Sequence, residues 1–255
     1  MLASLCLLPT PALAALDRAS LDDVAFTPPP GAHLPLDLPA RENGRRIALR
    51  DVTDGRPTLL VPVDFTCKVT CGPVMAIVTA ALAKSGLSPG ADYRLLLVGI
   101  DPHATVQDAE SFASRSGATD SVLPATHALV LDEDGLARVE TALGYRARYD
   151  AQTKSFAHPI GAVTLTSGGS VTRFLSPLAL DAQDLRLALL EAGQGKIGSW
   201  TSRVALLCYG FDAAHGVYTS RVTLALRIGG ALVVTAIGGW LALMFRAGRA
   251  NGSAS

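Results

Sequence analysis

The chain has 255 residues, 22 basic and 22 acidic, and a formal net charge of zero. No basic stripe interleaved with aromatics occurs, so composition gives no support to nucleic-acid binding. Charged residues make up 17% and hydrophobic ones 49%, with a mean hydropathy of +0.33. That is too apolar for one ordinary soluble domain, and the surplus belongs in membrane-type segments.

Residues 1–14, MLASLCLLPTPALA, form a short apolar run ending in Ala12-Leu13-Ala14 and read as a signal peptide, although no Lys or Arg precedes the run. Leu5 stands before Cys6 where a lipoprotein site wants a small residue. Residues 15–57, rich in Pro, Gly and Arg, read as an extended lead-in, with Pro28-Pro29-Pro30-Gly31 a stiff non-helical stretch.

The core pattern starts at Thr58. Leu59 to Phe65 suits a buried strand, Thr66 to Pro73 (TCKVTCGP) a turn, and Val74 to Lys84 an Ala-rich helix closed by Gly86. Pro73 is at home in a first helical turn, where its missing N–H is not needed. A second strand, Tyr93 to Ile100, leads into Asp101-Pro102. Thr105 then caps a helix to Ser116, ended by Gly117. His127 to Leu131 is a third strand, and Asp132 begins a helix with Leu136, Val139 and Leu143 on one face.

Arg146 to Ala157 reads as a polar loop. Gly161 to Thr166 and Ser170 to Leu175 form a hairpin about Ser167-Gly168-Gly169. Asp181 caps a last helix, Leu185 to Glu191, which Gly193 ends. Strands alternating with helices and closing on a hairpin plus helix predict an α/β, thioredoxin-like sandwich over residues 58–195. Residues 196–227 are a membrane-proximal segment. Residues 228–245 (IGGALVVTAIGGWLALMF) carry no charge and would span about 27 Å as a helix, against a bilayer core of about 30 Å. Arg221, Arg227, Arg246 and Arg249 flank this transmembrane helix, and residues 246–255 are a short tail. The soluble domain is thereby expected on the periplasmic face of a bacterial-type cytoplasmic membrane.

Without Cys6, three cysteines remain: Cys67, Cys71 and Cys208. One close pair is not a disulfide framework for such a chain. Placed before a helix, both sulfurs meet unpaired N–H groups and the positive dipole end, which predicts stabilised, nucleophilic thiolates. Two thiolates suit Cu(I) or Zn(II), and an added imidazole admits Cu(II). The same spacing also suits an inert disulfide or a thiol–disulfide oxidoreductase.

A third ligand would come from His33, His103, His127, His158 or His215. His33 lies in the lead-in, His127 at a strand start and His215 near the membrane. His103 follows Asp101-Pro102 at a strand end. His158, before Pro159, sits in the loop that faces the cysteine turn in thioredoxin-like folds. Topology alone leaves this choice open.

From about Arg56 to Tyr218 the sequence resembles the Sco/SenC copper-binding proteins, in the subgroup with a C-terminal membrane anchor. VDFTCKVTCGPV looks like the family's strand–CxxxC–helix motif, and VGIDP like its strand-end Asp-Pro. GYRARYDAQTKSFAHPIGAVTLTSGGSVTRFL resembles the segment with the metal-binding histidine and the following hairpin. The resemblance implies one copper ion, Cu(I) or Cu(II), bound by Cys67, Cys71 and His158. It also implies delivery of copper to, or reduction of thiols at, the binuclear site of the cytochrome c oxidase copper-binding subunit, with another periplasmic copper donor upstream. Two departures stand out: Lys68 replaces the usual proline after Cys67, and Gly210 replaces a histidine after Cys208-Tyr209. The first puts a positive charge near the sulfurs; the second leaves Cys208 without an accessory metal role.

Overall fold

The computed structural model describes residues 21–68, 70–116, 121–195, 211–212, 217–218, 228, 230–235 and 237–238. By contact the chain divides into one unit over residues 1–199 with 213–215, and a second over 200–212 with 216–255.

In the first unit the elements run β1 (Ala25–Phe26), β2 (Pro39–Glu42), β3 (Arg45–Ala48), α1 (Leu49–Thr53), β4 (Thr58–Val63), α2 (Cys71–Lys84), β5 (Arg94–Gly99), α3 (Val106–Arg115), β6 (Thr126–Leu129), α4 (Glu133–Leu143), β7 (Tyr145–Arg146), β8 (Arg148–Asp150), β9 (Ser155–Ala157), β10 (Ala162–Leu165), β11 (Val171–Leu175) and α5 (Ala182–Gly193). The main sheet has the order β11-β10-β4-β5-β6. Strands β4, β5 and β6 are parallel, and β10 runs antiparallel to both β4 and β11.

Period-2 alternation feeds two cores, one on each face of this sheet. Leu59, Val61, Val63, Leu95 and Leu97 point into a cluster with Cys71, Met75, Val78 and Leu82 of α2, Phe112 of α3, and Leu185 and Leu189 of α5. Leu60, Leu96, Val98, Val163 and Leu165 point the other way, against Leu136, Val139 and Leu143 of α4. A strand buried on both faces reads as an unbroken apolar run, which is why β4 and β5 were plain in the sequence.

The caps follow local chemistry. Thr105 accepts from Asp108 N and forms a capping box with it, while Asp132 and Asp181 accept from Gly135 N and Asp184 N. Gly117, expected to end α3, lies outside the described residues. Helix α5 begins at Ala182, directly after its cap, earlier than the apolar run alone suggested. The presumed polar loop Arg146 to Ala157 holds β8 and β9, which pair with each other, with Tyr149 against Phe156.

The segment before Thr58 is extended only in part. β2 and β3 form a hairpin, tied to the sheet by the Arg41–Val130 bridge, and Phe26, Leu34, Leu38, Leu49 and Val52 are buried in the second cluster. Pro and Arg break its apolar residues into runs too short to show a period, yet these side chains share the core on one face of the sheet with those of α4.

Gly144 closes α4 in the left-handed region at φ +58, and a Cβ there would lie 2.1 Å from the Thr27 carbonyl oxygen. Gly144→Ala is therefore expected to destabilise the fold by about 2–5 kcal/mol, combining left-handed strain with overpacking. Urea denaturation of the variant checks this.

In the second unit Phe211–Asp212 pairs antiparallel with Val217–Tyr218. Of the expected span 228–245, residues 228, 230–235 and 237–238 are helical, and Ile228, Leu232, Val233, Val234 and Ile237 are exposed; the remainder lies outside the described residues. Among the described residues no helix is long and apolar enough to cross a membrane. The expected signal peptide, Cys6, Cys208 and His215 also lie outside them.

Candidate metal centre

The site opens where β4 and β10 part. Their ladder runs only over Thr58 to Leu60 on β4, paired with Leu165 to Val163. Beyond it comes Pro62, which has no N–H to offer a neighbouring strand. Residues 158–161 therefore diverge instead of zipping onto Val61 to Val63. A Cβ on Gly161 would lie 2.7 Å from the Phe174 ring and 3.1 Å from the Leu175 carbonyl oxygen, so a larger residue here would force the neighbouring strand's side chain to shift. The gap left behind is a small cavity of about 20 Å³, lined among others by Pro62, Cys71, Met75 and His158.

On the opposite wall, the turn from β4 to α2 is organised by Asp64. Its Oδ1 accepts from Thr66 N at 2.8 Å and Thr66 Oγ1 at 2.7 Å, and its carbonyl accepts from Cys67 N at 3.1 Å. A backbone hydrogen bond from Asp64 also supports the Cys71 sulfur. Asp64 is buried, and its Oδ2 has no hydrogen-bond partner among protein atoms. In the sequence Asp64 falls within the apolar run Leu59 to Phe65, and the only signal of its role is an acid three residues before the first cysteine.

Cys67 sits half-buried in this turn, 3.6 Å from Thr70 Oγ1, whereas Cys71 is buried as the first residue of α2. The helix thus starts three residues before Val74, and the second sulfur belongs to the helix itself. Both cysteines are thiols, and the Cys67 side chain hydrogen-bonds Cys71. Cys71 Sγ lies 3.6 Å from His158 Nε2. On the far side of that ring Nδ1 is 3.3 Å from the Pro159 carbonyl oxygen. A carbonyl can only accept, so Nδ1 carries the proton and Nε2 presents its lone pair to the sulfur.

The electrostatics correct one expectation. The Cys71 thiol is pushed up to about 12, first by burial and then by the neighbouring Cys67. At the helix start desolvation outweighs the dipole, so Cys71 is held as a neutral thiol rather than a stabilised thiolate. Alkylation of Cys71 in the metal-free chain is expected to stay slow near pH 8.5, where an ordinary thiol reacts, and to accelerate only at higher pH; peptide mass spectrometry resolves it from Cys67. This thiol stabilises the fold fully below pH 9.0, and the contribution fades as pH rises towards about 12. Burial moves His158 the other way, below its ordinary 6.5. Its imidazole is therefore neutral at neutral pH, as a metal ligand must be.

The other histidines stand apart. His103 is exposed, and Asp101 accepts from its backbone N–H, so this acid caps its own turn. His127 Nδ1 pairs with Glu42 at 2.8 Å, and His33 is exposed beside Ser170. Lys68 is exposed and solvated.

Among the described residues no three His, Cys, Asp or Glu side chains stand ready-made around a metal position. What is assembled is the Cys71–His158 pair, with the Cys67 side chain hydrogen-bonded to Cys71 from the turn outside the helix. The pair fits one soft ion. With the metal–sulfur and metal–nitrogen bond lengths of zinc, about 2.3 and 2.0–2.1 Å, two ligands at tetrahedral to trigonal angles sit about 3.5–3.8 Å apart. The observed separation is 3.6 Å.

No family model matches the chain, and no curated protein matches its sequence. Its structure is similar to that of a protein from Aquifex aeolicus VF5 assigned to electron transfer, with TM-score 0.57 and 19% identity over 64% of this chain and 94% of that one. It is similar to Arabidopsis thaliana ScoI, solved with copper bound, with TM-score 0.51 and 16% identity over 63% and 99%. It is also similar to BsSco, a member of the Sco family of cytochrome c oxidase assembly proteins, with TM-score 0.51 and 14% identity over 66% and 98%. The first unit of this chain therefore has the mixed α/β, thioredoxin-like fold seen in Sco proteins.

Proposed function

We propose that this chain is a membrane-anchored copper metallochaperone of the Sco/SenC type, carrying one copper ion on Cys67, Cys71 and His158. The observation that carries the reading is His158 Nε2 facing Cys71 Sγ at 3.6 Å, across the mouth left by β4 and β10. The fold shared with copper-bound ScoI supports it, as does the chemistry of two sulfurs and a neutral imidazole. An apolar helical stretch with exposed Ile228, Leu232, Val233, Val234 and Ile237 supports the anchor at 228–245. The acceptor in this reading is the copper-binding subunit of cytochrome c oxidase, on the periplasmic side of the membrane.

The residues divide the work by burial. Cys71 and His158 form the inner pair, while Cys67 stands outside the helix, where an acceptor thiol can reach it. Stepwise exchange begins there: the acceptor sulfur joins as Cys67 leaves, and the inner pair releases last. Loading requires Cys71 to shed the proton that burial holds on it. Cu(I) uptake should therefore release protons and weaken as pH falls.

A second reading rests on the hydrogen bond between Cys67 and Cys71. An accessible thiol beside a buried one suits thiol–disulfide exchange, in which the Cys67 and Cys71 thiols become a disulfide as a partner's disulfide becomes two thiols. The copper-loaded full chain, mixed with the metal-free reduced subunit, decides between them. Copper movement to the subunit supports the chaperone. Failure to transfer, together with reduction of the oxidised subunit by the metal-free chain, supports the oxidoreductase.

A further inference from the structure

Met75 is the feature of the site that neither reading uses. It stands one helical turn after Cys71 in α2, and residues four apart on a helix share a face. Both are buried, Cys71 at 6% and Met75 at 1% exposure. Both line the same cavity as His158. At about 20 Å³ that cavity holds a single water-sized guest. Val61, Pro62, Val74 and Ile160 make the rest of its wall largely aliphatic. The side-chain donors on it are thus the Cys71 sulfur, the His158 ring, the Met75 thioether and the Thr70 hydroxyl, a hard oxygen with little affinity for a soft ion.

We propose that Met75 is a further copper ligand: its thioether completes the site of Cys67, Cys71 and His158 from the core side and biases it towards Cu(I). The inference rests on the copper reading and adds a donor to it. A thioether is soft and uncharged, so it favours Cu(I) without adding charge to a desolvated pocket. Met has an unbranched chain with three rotatable bonds, so the sulfur can swing towards the cavity with no movement of α2. A leucine would fill the same core volume and bring no donor, which makes it the informative replacement.

The chain has methionine only at positions 1, 75 and 244, so selenomethionine labelling of the full chain gives a sparse probe. X-ray absorption at the copper and selenium edges of the Cu(I)-loaded protein should show a copper–selenium distance in the parent and none in Met75→Leu. Met75→Leu should lower Cu(I) affinity by about tenfold, the low end of what losing a supporting group costs a metal site, while Cu(II) affinity stays within about twofold, a weak axial thioether adding little to Cu(II). Copper bound by the parent with no selenium neighbour overturns this inference and leaves the three-ligand site standing. A parent that binds no copper overturns both.

Discussion

Replacing His158 with alanine is expected to cut Cu(II) affinity by more than about 100-fold, because losing a mere supporting hydrogen bond already costs a metal site about 10–100-fold. Cu(I) should be retained more tightly, since two thiolates satisfy it without an imidazole. Titration with each ion, followed by the sulfur-to-copper charge-transfer absorption for Cu(II), checks this. Equal Cu(II) affinity in variant and parent would remove His158 from the site. In the parent, acid should act on the same ring. Burial lowers the His158 pKa below 6.5, so its stabilising effect on the metal-free fold is complete above pH 6.5. It is lost as pH falls from there through the folded value, because the unfolded chain takes up the proton first. Copper binding should weaken over that lower range too, as protons compete for Nε2.

Phe65→Ala is expected to cost about 3–5 kcal/mol of stability, the usual range for emptying a buried aromatic site. Phe65 is 1% exposed and lies over Gly99 of β5, where a Cβ would stand 2.8 Å from its ring. It also packs against Phe112 of α3, with ring centroids 5.7 Å apart. One side chain thus joins strand, neighbouring strand and helix directly below the cysteine turn. Denaturant unfolding should show a lower midpoint with an unchanged slope. A midpoint within experimental error of the parent's would mean the slot collapses without cost. Phe65→Leu, which leaves less empty volume, should lose less.

The parts of the fold that were legible share a physical cause. β4 and β5 are buried on both faces and so appear as unbroken apolar runs, and α3, α4 and α5 carry side-chain caps that write their starts into the sequence. Segment 24–53 was harder, because its buried leucines are set among Pro and Arg with no period of their own. Their placement depends on a sheet face supplied by residues far along the chain. β8 and β9 are three residues each, the first largely exposed and the second half-buried, so alternation had no room to show.

At the site, the cysteine pair was visible from spacing and from the strand before it, whereas topology left the choice among the histidines open and only the Sco/SenC resemblance singled out His158. The ionisation of Cys71 was not visible. Local position argued for a thiolate, whereas the cover provided by β4 and the His158 loop argues more strongly for a thiol. Desolvation is a property of distant segments meeting, and no window of sequence contains it. Pro62 and Asp64 belong to the same class: one looked like part of a strand and the other like its end, until β10 was seen to part from β4 beside them.

The central claim is tested most directly by titrating the reduced full chain with Cu(I) against a chromophoric competitor, alongside Cys67→Ser and Cys71→Ser. One tightly held Cu(I) per chain is expected in the parent, with loss of that binding in each serine variant. A parent with no tight Cu(I) site, or serine variants that bind as the parent does, would contradict it.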